Sequence, residues 1–116
     1  WHKELWLIDH GAALYFHHSW ENWQKQALNP FAPIKDHVLL SFADRLDEVD
    51  QEFRQLLTSD KIRDIVDTVP DDWLNWTKDN ETPQDLREIY IQFLEERIKH
   101  FELFVKEAQN ARATLI

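Results

Sequence analysis

Thr82–Pro83–Gln84–Asp85–Leu86–Arg87–Glu88–Ile89–Tyr90–Ile91–Gln92–Phe93–Leu94, running on through Ile98, Phe101 and Val105 to Ala111, is the stretch that decides the fold. Thr82 offers a capping hydroxyl. Pro83 suits the first helical position, where an amide would have no intrahelical partner, and Asp85 sits where the helix dipole favours negative charge. Ile91, Leu94, Ile98, Phe101, Val105 and Ala108 then recur at helical spacing, and Leu86, Tyr90, Phe93 and Phe104 widen the stripe. Glu95 with Lys99 and Glu102 with Lys106 stand four apart in the favourable order. The spacing predicts one helix from Pro83 to about Ala111 and a mainly α protein around it.

The segments before it read the same way. Leu46, Val49, Phe53 and Leu56 form a helical stripe opposite Asp47, Glu48, Asp50 and Glu52, and the acidic run from Asp44 to Glu52 reads as a solvated face. Ser59 is expected to cap a helix with Ile62, Ile65, Val66 and Val69 on one side, stopped by Pro70. Asp71 or Asp72 would cap a short turn holding Trp73, Leu74 and Trp76. Asn29–Pro30–Phe31–Ala32–Pro33 is the main loop, followed by a short helix from about Lys35 to Phe42 with Val38, Leu39 and Phe42 inward. Ser19 would cap a short helix carrying Trp20, Trp23 and Ala27. These tryptophan spacings fit core packing better than a ligand-stacking platform. One glycine and four prolines leave few tight turns, which argues against many short strands.

One segment departs from this pattern. Leu5–Trp6–Leu7–Ile8 is a continuous apolar run ending at Asp9–His10–Gly11, as a buried β-strand would before a turn. No second strand is legible, so its pairing partners are expected on another part of the protein. The chain contains no methionine. Residues 1–116 are therefore read as one domain, expected to be the C-terminal part of a larger protein.

The formal net charge of −9 disfavours nucleic acid and anionic membranes as partners. The absence of cysteine excludes a disulfide scaffold and a Cys-ligated metal, and it suits a reducing cytoplasm. No apolar run approaches a membrane span, and Trp1–His2–Lys3–Glu4 does not open like a signal peptide.

Two constellations could carry chemistry. Asp9, at the end of an apolar strand and two residues before Gly11, is placed as a kinase Asp is when it holds the metal bridging the ATP phosphates. Spacing alone leaves that role open beside an ordinary strand-to-turn Asp bonded to nearby amides. His10, His17, His18 and His37, with Asp9, carry transition-metal ligand types but no metal-site spacing, and surface or aromatic-packing histidines are the simpler reading. Ser19, Ser41 and Ser59 are explained by capping or packing, so no nucleophile is assigned.

The string from Leu5 to His18 resembles the metal-binding segment of HipA-like kinases, most closely a bacterial subgroup. Further matches are Ile34–Lys35–Asp36–His37–Val38–Leu39–Leu40, Val69–Pro70–Asp71–Asp72–Trp73–Leu74, and Arg87–Glu88–Ile89–Tyr90. The resemblance implies the helical C-terminal lobe of a protein-kinase-like fold, with its short strand at residues 5–8. It implies a serine/threonine protein kinase using Mg²⁺ and ATP. Asp9 would be the metal ligand, Asp9 and Gly11 the cofactor-binding residues, and His10 replaces the usual Phe of the Asp-Phe-Gly-type motif. A Gly-rich phosphate loop, a phosphate-binding strand Lys and a catalytic-loop Asp are not found, so no catalytic residue is assigned and the chain alone is expected to be inactive. Its expected partners are the missing N-terminal part, a protein substrate, and further copies of itself through exposed Leu5, Trp6 and Leu7. The alternative is a free-standing helical interaction domain without catalysis, using its long amphipathic helix.

Overall fold

The computed structural model describes Glu4, Trp6, Ala13, Leu14, Phe16, residues 20–75 and residues 81–115. The expected strand at 5–8 lies outside these residues except for Trp6, which carries no regular structure and is exposed. Among the described residues the structure is helical and contains no strand. The α-helices are α1 (Trp23–Ala27), α2 (Leu46–Leu56), α3 (Ser59–Asp67), α4 (Pro83–Lys99) and α5 (Glu102–Ala113). Among the described residues, 3-10 turns accompany them at Trp20–Asn22, Ala32–Asp36, Leu40–Phe42 and Asp71–Trp73.

The start of α4 is built as its sequence dictates. Thr82 Oγ1 accepts from the Asp85 amide at 3.2 Å, and the Asp85 carboxylate accepts from the Thr82 amide at 2.8 Å. This reciprocal box satisfies amide donors that the helix leaves open. The Thr82 hydroxyl and amide hold the Asp85 carboxyl below its usual range.

The single helix expected from Pro83 to Ala111 is two helices. His100 has φ −113° and ψ 32°, outside helical values, and α5 begins afresh after Phe101. No proline or glycine causes the break. The His100 ring nitrogen Nδ1 lies 3.1 Å from the Glu96 carbonyl, to which the His100 amide also donates, so ring and amide share one acceptor. The ladder resumes with a tighter turn, Leu103 N–H to the His100 carbonyl. The apolar period runs unbroken through this point, which is why it cannot reveal the break.

Helix α4 is the spine. One side buries Phe93 against Phe16 and Ala27, with Trp20 and Trp23 packed around them. Phe16 stacks on Phe93 at 4.1 Å between ring centres and meets Tyr90 edge-on at 4.9 Å. Another side buries Ile91 against Ile62 and Val66 of α3. Arg63 of α3 donates to Glu88 of α4 through Nη1 and Nη2, at 3.1 and 3.4 Å. That pair draws the Glu88 carboxyl below its usual range and raises Arg63. Helix α5 packs instead on α2 and on the turns at Ala32–Asp36 and Leu40–Phe42. Arg97 joins the two layers. It donates to the Ala27 carbonyl at 3.3 Å and lies over the Phe104 ring at 4.0 Å. Burial lowers its pKa.

Other expectations shift by small amounts. The cap of α3 is Thr58, not Ser59, its hydroxyl accepting from the Lys61 amide at 3.3 Å. Within α3, Ile62 and Val66 are buried while Ile65 is exposed. Lys99 pairs with Glu96, one residue from the expected Glu95. The expected helix from Lys35 to Phe42 is replaced by two 3-10 turns separated by His37, whose backbone is extended and whose ring accepts from the Leu39 amide at 3.2 Å. The phase therefore changes: Val38, Leu39 and Phe42 are exposed, and Leu40 is the residue buried. Ser19 and Trp76 lie outside the described residues.

Candidate functional site

Asp9 and Gly11, the expected metal and cofactor residues, lie outside the described residues, as do His10, His17 and His18. His37 is exposed and committed to the Leu39 amide. Among the described residues, no group of three or more histidine and carboxylate side chains gathers to hold a metal. Three carboxylates of the acidic face of α2 have partners: Glu48 with Arg45, Asp50 with Arg54, and Asp47 with Gln109 of α5 at 2.6 Å.

The structure builds two features that sequence patterning does not single out. The first is a cavity of about 500 Å³ where α3, α4 and the turn Asp71–Trp73 meet. Ile65, Val66 and Val69 line it from α3 and the chain following it, Trp73 and Leu74 from the turn and its end, and Tyr90 and Leu94 from α4. Ala13 and Leu14 complete the wall. Among the described residues of this lining, Arg87 is the one charged side chain.

The Arg87 side chain is only 12% exposed. Its Nη2 donates to the Val69 carbonyl and to the Asp71 carboxylate, while its Nε is buried without a hydrogen-bond partner. The bond to Val69 ties the chain just after α3 to α4 at the cavity wall. Burial raises the Tyr90 pKa.

The second feature is an uncovered apolar face. Helix α2 contains no buried residue, and Val49, Phe53 and Leu56 along its stripe are exposed. It meets α5 through Asp47 to Gln109, and Arg54 lays its guanidinium over the ring of Phe101, just before α5, while Phe53 borders an open groove with Ile98 and Phe104. Trp73, read as core from its spacing, is 72% exposed at the cavity rim.

Comparison with protein-family models, with curated proteins and with solved structures gives no match. No helix among the described residues is long and apolar enough to cross a membrane.

Proposed function

We propose that this chain works by docking. It is a helical lobe that seats the exposed stripe of α2 against the remainder of a larger cytoplasmic HipA-like serine/threonine kinase. The observation that carries docking is Val49, Phe53 and Leu56 lying in helical register on a helix that buries none of its own residues. Such a stripe is the form in which one helix presents itself to a groove or to another helix.

The kinase part rests on the resemblance of residues 5–18. The shared cavity supports it, because three of the segments that carry the resemblance, far apart in the chain, contribute to one space: Ala13 and Leu14, then Val69, Trp73 and Leu74, then Arg87 and Tyr90. In this reading Asp9 holds Mg²⁺ for ATP, Gly11 lets the backbone turn toward the nucleotide, and the chain alone transfers no phosphate.

The test uses protein expressed from the complete reading frame. Mg²⁺-dependent phosphotransfer from ATP is expected there and is expected to be abolished by Asp9→Ala. Unchanged transfer in that variant refutes the role of Asp9.

The second reading is a free-standing helical interaction domain, favoured by the same α2 stripe. It predicts an active docking surface with no nucleotide binding in any length of the protein. Calorimetric titration with Mg–ATP separates the two readings.

A further inference from the structure

We propose that the cavity beside α4 binds a small apolar monocarboxylic acid, whose carboxylate takes the place of Asp71 on Arg87. This inference is independent of the kinase reading. A cavity of about 500 Å³ lies in the range of small-molecule sites, and its walls are aliphatic and aromatic, so the body of the ligand is apolar.

Arg87 sets the chemistry of the head group. A guanidinium offers five N–H donors and is best matched by a carboxylate bonded through two oxygens at once. Here the buried Nε has no partner, and Asp71 meets the group through Oδ1 at Nη2. A ligand carboxylate along the Nε–Nη2 edge would satisfy both nitrogens.

Asp71 is well suited to being displaced. It is 71% exposed, so its carboxylate returns to water at little cost. The Val69 carbonyl continues to hold Arg87 in place during the exchange. Trp73 is the second pointer: it sits in the same turn as Asp71, lines the cavity, and is largely exposed until an apolar tail covers it. A single charge on the ligand is indicated because Arg87 is the one cation among the described lining residues and the protein's net charge of −9 penalises further negative charge.

The test is calorimetric titration of the 116-residue chain with octanoate and, separately, 1-octanol. Octanoate is expected to bind about tenfold more tightly, from one charge-assisted pair. Asp71→Asn removes the competing carboxylate and should tighten octanoate while leaving 1-octanol unchanged. Equal affinities for acid and alcohol, or no response of octanoate to Asp71→Asn, overturns the proposal. Ile65→Trp, at an exposed rim position, should fill the cavity and weaken both ligands with helical circular dichroism retained. Undiminished octanoate binding by that folded variant places the site elsewhere and also overturns it. A peptide ending in Leu with a free carboxylate presents the same chemistry, and tighter binding of that peptide than of octanoate rejects assignment to a free acid.

Discussion

Phe53 and Phe93 both fall on apolar stripes at helical spacing, and the structure gives them opposite weights. Phe93 is 4% exposed, stacked on Phe16 and packed near Ala27. Truncating a buried phenylalanine to alanine removes its transfer free energy and leaves a cavity, which together cost about 3–5 kcal/mol. Phe53 is 54% exposed, so about half of the ~1.5–3 kcal/mol available from full burial is at stake. Part of that half is recovered because alanine is the better helix former by a few tenths of a kcal/mol, leaving a cost below about 1 kcal/mol. Urea unfolding followed by helical circular dichroism reads the difference. With a slope near 1–3 kcal/mol per molar urea, Phe93→Ala should move the midpoint down by about 1 M or more, and Phe53→Ala by a few tenths. Equal midpoint shifts would show that the α2 stripe is buried in the isolated chain, and the argument for docking through it would fall.

Two further outcomes follow from the polar contacts. Thr82→Ala breaks the capping box and should lower stability by about 1 kcal/mol in the same urea assay, with Thr82→Ser close to the parent. Asp85 and Glu88 are both held below the usual carboxylate range in the folded state. The unfolded chain therefore binds protons first as pH falls. Their contribution is complete above the unfolded pKa values and is lost as pH drops below about 4 through the folded ones. Midpoints measured from pH 7 down to pH 3 should show that decline, flattened in part by Glu88→Gln because Glu88 then has no charge to lose. The flattening should be small, since the pair with Arg63 is well exposed and screened by solvent.

Local chemistry made much of the fold legible. Thr82–Pro83 and Asp85 define a helix start through short-range bonds, and the structure forms the bonds they imply. The stripes of α2, α3 and α4 were legible as period. Which stripes are covered was not, because period records amphipathicity and not the presence of a neighbour. Val49 and Phe53 carry the same signal as Ile62 and Ile91, but only the latter two are buried against another helix. The two histidine breaks were hidden for a different reason. At His37 and His100 a ring nitrogen reaches a backbone group where the helix ends, and such a contact leaves no mark on the hydrophobic pattern. The cavity was illegible because Arg87, Asp71 and Tyr90 are brought together only when α3 turns back onto α4. Arg87 on the stripe-bearing helix is its one visible trace, a charge four residues before the core residue Ile91.

The break at His100 has a consequence for how the molecule opens. Among the described residues, every buried apolar side chain except Leu40 belongs to α4 or to what packs around it, and α5 and α2 bury none. Amide exchange should therefore proceed in two tiers, with α2 and α5 released at a lower free energy than α3 and α4. Arg97 is the main rivet between the tiers, holding Ala27 on one side and Phe104 on the other. The exposed stripe rides on the looser tier, so a partner that grips α2 acts on its most deformable half. Protection of α2 and α5 would then rise with partner concentration as binding draws them out of the open state, while α4 changes little.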